Sequence, residues 1–293
     1  MRPPWMERPT IAGRTLKFVV LTAITLAVLY PFGLALGTSL TGKAESVANG
    51  GSYVLFPSDP TLEAYKVILS GGTVTRSVLI SIGITLVGTA LSLACTVFLG
   101  YALSRRGVLF GKPILLMVLA TFLFTPGMIP SYLMVKELGM IDTYQALIVP
   151  VLVNAFNVVV VRAFFQNLPE ELFEAARMDG CSEWRMMWRI ALPLSKAVIA
   201  VVGLFYAVSY WNTFFNAILY LNDQTKHPIQ VVLRQYIFRG NAQAGADIGV
   251  ISSLPTASVQ MAVLIIALIP IVAVYPFLQK YFAKGVLTGA IKG

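Results

Sequence analysis

The densest group of charged side chains lies between residues 167 and 193, in a chain of 293 residues of which only 12% are charged. Glu174 and Arg177 stand three residues apart, and on spacing alone they form an ordinary exposed ion pair worth less than about 0.5 kcal/mol. No His, Cys, Asp and Glu residues have metal-ligand spacing, and no Ser or Cys stands in a nucleophile motif. We therefore predict no catalytic residue and no metal site.

The same segment predicts two short helices with a sharp bend between them. Pro169 begins the first helix, two glutamates in its first turn complement the helix dipole, and Gly180 provides a left-handed cap. Ser182 is a good N-cap for the second helix, which Pro193 breaks as the chain enters the membrane. One apolar stripe at spacings i, i+3, i+4 and i+7 is formed by Trp184, Met187, Trp188 and Ala191. That face must pack on something.

Polar and aromatic side chains recur in two later apolar stretches. Four at helical spacings of 3, 4 and 4 share one face, namely Ser209, Asn212, Asn216 and Tyr220. Amides are costly against lipid, so we expect this face to look into the helix bundle. The rings of Tyr206, Tyr210 and Trp211 offer aromatic faces for stacking. Asn154 and Asn157 can supply partners to hydroxyl groups. Two interpretations stay open: these residues line a transport pathway, or they form interhelical hydrogen bonds and aromatic packing.

The composition indicates a membrane protein, because 57% of the residues are hydrophobic and the mean hydropathy is +0.77. Six runs contain no Asp, Glu, Lys or Arg, and they are residues 18–42, 77–104, 113–135, 143–161, 197–222 and 248–279. Each can cross a bilayer, for which about 20 residues are needed. Lipid offers no partner to backbone groups, so each run must close its hydrogen bonds as a helix. We predict an all-α polytopic membrane protein with six transmembrane helices.

The basic residues predict the orientation in the membrane. With the N-terminus inside, 15 of the 22 Lys and Arg residues fall in inside segments, which places both termini in the cytoplasm. Residues 1–293 then form a single transmembrane domain, with a cytoplasmic loop at about 166–195 and outer loops at about 43–76 and 223–258. The net charge of +9 is largely this bias and indicates no nucleic-acid partner, although it would also suit an anionic cargo.

Each outer loop predicts a short helix. In the first, Asp59 as N-cap and Pro60 at the first helical position indicate a helix start, and Gly71 with Gly72 indicates its end. In the second, a helix is predicted to begin at Pro228. The first loop is either a plain connector or a docking surface for an external partner.

The sequence offers no way for this chain to hydrolyse ATP. Between Gly107 and Pro113 the spacing of a phosphate-binding loop is one residue short, and proline follows Lys112 where Ser or Thr is needed. An ion-coupled secondary transporter of a small solute is the alternative function. Such proteins usually bury ionisable residues at mid-membrane, and the six runs contain no Asp, Glu, Lys or Arg.

One motif resembles a known family. The pattern is similar to the full EAA signature of permease subunits in bacterial ATP-binding-cassette importers. It consists of Glu174-Ala175-Ala176, three residues, Gly180, nine residues, Ile190, one residue and Leu192-Pro193. The resemblance implies their six-helix fold. It also implies that the first helix of the loop is a coupling helix, seated on a cytoplasmic ATPase subunit. The residues carried over as ATPase-coupling are Glu174, Ala175, Ala176, Gly180, Ile190, Leu192 and Pro193.

The resemblance extends over nearly the whole chain and favours the carbohydrate-importing branch. It rests on the segment 56–65, the run 210–217 and the tail 279–293. Within that branch the chain is most similar to permeases for oligosaccharides and polysaccharides, so an acidic polymer such as alginate is one candidate cargo. The resemblance implies a bacterial inner-membrane location, a second homologous permease, two ATPase subunits that hold ATP and Mg, and a periplasmic or extracellular solute-binding protein. It implies contact with membrane lipid and no cofactor bound by this chain.

Overall fold

The computed structural model describes residues 10–105, 107–239 and 256–290, and over these ranges the regular secondary structure is helical. One isolated antiparallel bridge joins Thr41 and Pro60. A π-helix covers Met187–Ala191, and single 3₁₀ turns cover Val149–Val151 and Gln224–Lys226. The α-helices are α1 Ile11–Ser39, α2 Lys43–Ala48, α3 Glu63–Ser70, α4 Thr73–Ser104, α5 Gly111–Leu123, α6 Met128–Glu137, α7 Gln145–Ile148, α8 Ala155–Gln166, α9 Glu170–Met178, α10 Glu183–Met186, α11 Leu192–Leu194, α12 Lys196–Trp211, α13 Phe215–Tyr220, α14 Ile229–Arg239 and α15 Thr256–Ala290.

The structure confirms an all-α chain with several apolar helices long enough to cross a membrane. Within the described residues three single helices qualify by length and composition, and they are Ile11–Ser39, Thr73–Ser104 and Ala257–Val274. Two bent pairs raise the number to five, and α5 is a shorter apolar helix. The six-span count and the cytoplasmic termini therefore stay predictions.

The expectation of one continuous helix for each apolar run is wrong for three of the six runs. In the third run, Pro126 lies between the end of α5 and the start of α6. In the fourth, Pro150 lies in a 3₁₀ turn, and the two halves of the run meet at 50° around Leu152 to Asn154. In the fifth, α12 ends at Trp211 and α13 begins at Phe215. Proline lacks the N–H that a continuous helix needs, which explains the first two breaks.

The chain divides into two compact units, Met1–Gly72 with Gln235–Ile266 and Thr73–Arg234 with Ala267–Gly293. In the second unit α4 packs against both α8 and α12, and these three helices form its centre. Small residues allow the close approach. A Cβ on Gly88 would lie 2.7 Å from the Tyr210 ring, and a Cβ on Gly100 would lie 3.0 Å from Val161.

In the first unit the end of α1 is buried, whereas most of that helix is exposed and apolar. The Thr38 hydroxyl accepts a hydrogen bond from the Val54 amide at 2.9 Å, which holds the loop after α2 against α1. The predicted start of α3 is three residues too early, because its N-cap is Leu62 and its first residue is Glu63. Pro60 instead forms the isolated β-bridge with Thr41. The end at Ser70 agrees with the prediction.

Candidate functional site

The first helix of the charged segment, α9, ends in the manner that the sequence predicts. Gly180 has a φ of +72°, the left-handed conformation that glycine adopts at little cost. Its amide donates to the Arg177 carbonyl at 3.0 Å, and the Cys181 amide donates to the Ala176 carbonyl at 2.9 Å. These two bonds define a Schellman cap. The cap turns the chain sharply into α10, whose N-cap Ser182 accepts from the Arg185 amide.

The α9 helix has one buried face and one exposed face. Phe173 is 1% exposed and Ala176 is 7% exposed, so both pack into the protein's own core. Glu174 and Ala175 are exposed, and Met178 is 89% exposed. The three residues Glu174-Ala175-Ala176 therefore differ in their surroundings. The acid and the first alanine are available to another protein, whereas the second alanine is an internal packing residue.

A cation and an ion pair attach the buried face of α9 to the end of α4. The Arg105 guanidinium lies over the Phe173 ring, with its Cζ 3.6 Å from the ring centroid, and 4.6 Å from the centroid of Tyr101. The Tyr101 hydroxyl donates to the Glu183 carboxylate at 3.0 Å, and Glu183 pairs with Arg177 at 3.4 Å. Side-chain contacts therefore attach α9 to the end of α4.

The predicted apolar stripe on the second helix is wrong. The chain forms a π-helix over Met187–Ala191, which adds a residue to the turn and moves later side chains off the expected face. Met187 and Ala191 are buried, whereas Trp184 and Trp188 are 61% and 51% exposed. The two indoles pack edge to face at 5.9 Å. The π turn precedes Pro193, whose ring would otherwise clash with the carbonyl of Arg189.

Two of the three remaining motif residues are partly buried, whereas Pro193 is exposed. Ile190 and Leu192 are partly buried against the core, and Pro193 belongs to α11. The direction of the chain changes by 84° between Glu183–Leu194 and Lys196–Trp211. The predicted helix break thus falls at Ser195, two residues after the proline. These three residues help to shape the bend that leads from the charged segment into the next apolar helix.

Tyr206 and Tyr210 are buried and bonded to the break in the fourth apolar run. The Tyr206 hydroxyl accepts from the Asn154 amide at 3.0 Å and lies 2.6 Å from the Thr96 hydroxyl. The Tyr210 hydroxyl donates to the Ile148 carbonyl at 3.3 Å and lies 2.8 Å from the Ser92 hydroxyl. These backbone groups are released where the helix is interrupted. The two tyrosines, one helical turn apart, therefore satisfy the polar groups on each side of the break.

The other polar residues of these runs do not form the single face that the spacing predicted. Because α12 ends at Trp211, the helical register is lost between Asn212 and Asn216. Ser209 and Asn212 are exposed, Asn216 is half-buried and Tyr220 is buried. Trp211 is also buried, and its Nε1 has no partner among the described residues. In the fourth run Asn154 is exposed and caps α8 through the Asn157 amide, whereas the Asn157 side chain is buried.

A second ionic cluster joins the loop after α6 to the loop after α13. Lys226 donates to the Asp142 carboxylate at 2.7 Å and to the Asp142 carbonyl at 2.8 Å. The same carboxylate accepts from the amides of Asn222 and Asp223, both at 3.1 Å. The Lys226 hydrogen bond, followed by the Asp223 amide, lowers the pKa of Asp142, and the Asp142 hydrogen bond raises the pKa of Lys226. The partners lie about 80 residues apart, so no local pattern in the sequence could have paired them.

Among the described residues, no three His, Cys, Asp or Glu side chains are grouped closely enough to hold a metal ion. The arrangement offers an exposed acidic helix on a rigid support, an interrupted apolar helix held by two tyrosines, and a few exposed polar side chains beside that interruption. The exposed acidic helix is available for contact with another protein.

Comparison with known proteins gives consistent matches over most of the chain. Residues 96–288 match the family described as the inner membrane component of binding-protein-dependent transport systems. The protein LplC of Bacillus subtilis (strain 168) is 46% identical over 97% of both chains. The polygalacturonan/rhamnogalacturonan transport system permease protein YtcP of the same organism is 42% identical over 93% of this chain and 96% of its own. In the crystal structure of a bacterial ABC transporter involved in the import of the acidic polysaccharide alginate, one chain superposes with a TM-score of 0.86 at 29% identity, covering 96% of this chain and all of that one.

Proposed function

Because this chain belongs to the family of inner membrane components of binding-protein-dependent transport systems, we propose that it is one permease subunit of an ATP-driven carbohydrate importer. The cargo is an oligosaccharide or polysaccharide, and an acidic polymer such as alginate is a candidate. This proposal is supported by the relative named for polygalacturonan and rhamnogalacturonan and by the structural likeness to the alginate transporter. The chain acts as a transport subunit and not as an enzyme.

The proposed complex contains a second homologous permease, two cytoplasmic ATPase subunits that hold ATP and Mg, and a solute-binding protein outside the membrane. The observation that carries the ATPase contact is the exposed Glu174-Ala175 face on a helix whose other face is anchored in the core. A carboxylate at a partly desolvated interface forms strong charged hydrogen bonds with a basic partner. The anchored face passes motion of α9 on to α4 through Arg105 and Glu183.

The proposed cargo path uses the exposed polar groups of the interrupted helices, Ser209, Asn212 and Asn154. Hydroxyl and amide groups exposed at these positions can exchange hydrogen bonds with a sugar as it passes. Tyr206 and Tyr210 support this path from inside the protein, because their hydroxyl groups are already bonded to the backbone around the break. They are positioning residues in this proposal and not cargo ligands.

Uptake by membrane vesicles tests the ATPase contact. Glu174→Lys should leave the protein in the membrane and reduce ATP-driven uptake of labelled oligosaccharide to background, because a positive charge meets a basic partner surface. Glu137→Lys makes the same change on an exposed acid of α6 and should leave uptake unchanged. Uptake at the normal rate by the Glu174→Lys variant would remove this residue from the mechanism.

The energy source of transport distinguishes the proposed ATP-driven importer from an ion-coupled secondary transporter. Vesicles loaded with ATP and treated with an ionophore should transport carbohydrate at an undiminished rate, because the gradients contribute nothing in the proposed mechanism. Vesicles with an imposed proton or sodium gradient and no ATP should not transport. The opposite pair of results would support a secondary transporter.

A further inference from the structure

A basic cavity of about 630 Å³ lies where the end of α4 meets the start of α5 and the side of α8. Three of its side chains are cations, Arg105, Lys112 and Arg162, and none of its described lining residues carries a carboxylate. Elsewhere in the described chain, cations such as Arg177 and Lys226 have acidic partners. A cavity lined by several cations and no anion favours a negatively charged ligand.

Among the described residues, most of the N–H donors on these cations have no hydrogen-bond partner. Arg162 donates through Nε to the Leu103 carbonyl at 3.0 Å, which uses one of the five N–H groups of its guanidinium. Nε and Nη2 of Arg105 are buried and have no hydrogen-bond partner among the described residues. Lys112 is exposed and makes no ion pair within the described part of the chain. Buried donors without acceptors are costly, so an anion that reaches them would stabilise the site.

The start of α5 adds to the positive electrostatic field of the cavity. Its N-cap, Phe110, is left-handed with a φ of +60° and provides no side-chain hydrogen bond to the helix. The Gly111 amide donates to the Val108 carbonyl at 3.2 Å and Pro113 has no N–H, so of the first three residues of α5 only Lys112 has an amide without a partner among the described residues. That amide lies at the positive end of the helix dipole. A left-handed phenylalanine is strained, and the surrounding structure keeps it in that conformation at a cost.

Part of the cavity rim is apolar. Phe110, which is 75% exposed, and Leu115 on α5 both line the cavity. A soluble phosphate would gain nothing from such a rim, whereas the acyl chains of a lipid would bury it. The cavity lies at the same end of α4 as α9, because Arg105 lines the cavity and stacks on Phe173 of α9. Basic pockets between transmembrane helices at the cytoplasmic surface are suited to anionic headgroups.

We propose that this cavity binds the phosphodiester of an anionic phospholipid from the cytoplasmic leaflet, with Lys112, Arg162 and Arg105 around the phosphate. Since Arg105 also supports α9, the bound lipid neutralises a cation directly beneath the coupling segment. The proposal is independent of the cargo, and its test does not measure transport.

The test measures lipid retention by the full-length protein, purified from membranes with the subunits that accompany it. The protein is reconstituted in phosphatidylcholine containing increasing amounts of phosphatidylglycerol, and the bound phosphatidylglycerol is counted by native mass spectrometry. Lys112→Gln with Arg162→Gln should raise the amount needed for half occupancy about 25-fold, since each cation contributes about fivefold. Lys112→Gln alone, an exposed change that leaves the fold undisturbed, should raise it about fivefold.

The matched control is Arg76→Gln, an exposed cation at the opposite end of α4, which should retain phosphatidylglycerol as the unmodified protein does. Equal retention by the Lys112→Gln and control variants would overturn the proposal. Equal retention of phosphatidylcholine would also overturn it, because the site would then not select for charge. Displacement of the lipid by millimolar inorganic phosphate would assign the cavity to a soluble anion instead.

Discussion

At the scale of the residue, the two adjacent alanines of the motif, Ala175 and Ala176, face opposite sides of α9. Sequence alone predicted α9, its acidic first turn and its glycine cap, because those signals are local. It did not predict that Ala175 faces outward and Ala176 inward, since that depends on Phe173 and the core beneath it. The motif therefore contains an exposed surface, which we propose contacts the ATPase, and a packing residue of the permease itself.

Leucine substitutions at these two positions should have opposite effects. Ala176→Leu places extra volume in a packed site and should destabilise the permease by about 1–3 kcal/mol. Ala175→Leu is a surface change and should alter stability by less than about 0.5 kcal/mol, while it weakens the association with the ATPase. Thermal unfolding of the solubilised permease measures the first effect, and copurification of the ATPase measures the second. Equal loss of stability in both variants would show that Ala175 is not an outward contact residue.

The polar residues of the spans also differ in burial and bonding, although their spacing offers no reason to separate them. Burial and hydrogen bonding assign Tyr206 and Tyr210 to the support of the helix break, whereas Ser209 and Asn212 are exposed. The interpretation as interhelical hydrogen bonding therefore applies to the two tyrosines, whereas a place on the transport pathway stays a proposal for Ser209 and Asn212. Only the contacts of the folded chain distinguish the two subsets.

Removing the hydroxyl of Tyr210 should reduce stability without changing affinity for cargo. Tyr210→Phe leaves the Ile148 carbonyl without its donor, which costs about 1–3 kcal/mol, and the KM for uptake should stay the same. Ser209→Ala combined with Asn212→Ala should leave the melting temperature unchanged and raise KM about threefold to tenfold. A raised KM in the Tyr210→Phe variant with an unchanged melting temperature would reverse these assignments.

At the scale of the element, composition predicts how long an apolar run is but not whether it is one helix. Pro126 and Pro150 were visible in the sequence, yet proline within a membrane helix also gives a simple kink. The break at Leu152 to Asn154 is stable because Tyr206 and Tyr210 supply its missing hydrogen bonds from α12. Those partners are about 50 to 60 residues away, so a local reading of the run could not have found them.

The Asp142–Lys226 cluster gives the pairing of two loops a defined pH dependence. The pKa of Asp142 is lowered, so its contribution to the stability of the loop pairing is complete above the ordinary aspartate value of about 3.9. That contribution is lost as the pH falls through the lowered value. The pKa of Lys226 is raised, so its contribution is complete below about 10.4 and is lost as the pH rises through the raised value. The loops should stay joined throughout the neutral range.

Hydrogen exchange at the amides of Asn222 and Asp223 measures this pairing. Their protection factors should be constant between neutral pH and about pH 4, and should fall below that. Asp142→Ala should abolish the protection at every pH, because alanine provides no acceptor and disfavours the φ of +62°. Asp142→Asn keeps an amide oxygen and tolerates that φ, so it should retain most of the protection. Unchanged protection in the Asp142→Ala variant would show that the loops are held by other contacts.

At the scale of the whole molecule, the chain is incomplete as a transporter. It has an exposed acidic helix with an anchored base, and most of α1 exposes apolar side chains. The sequence predicted the class of protein and the coupling segment from charge distribution and one motif. It could not predict which surfaces meet lipid and which meet other subunits, because both surfaces are apolar.

Crosslinking from α9 tests the central claim most directly. In a Cys95→Ser, Cys181→Ser background, Met178→Cys places a reactive thiol at a position of α9 that is 89% exposed, and Leu109→Cys places a matched thiol outside that helix, at a position that is 83% exposed. A short bifunctional maleimide should join Met178→Cys, but not Leu109→Cys, to a protein that hydrolyses ATP, and trapping with vanadate should change the yield. Absence of any ATP-hydrolysing protein from the Met178→Cys product, in membranes that transport carbohydrate, would contradict the account.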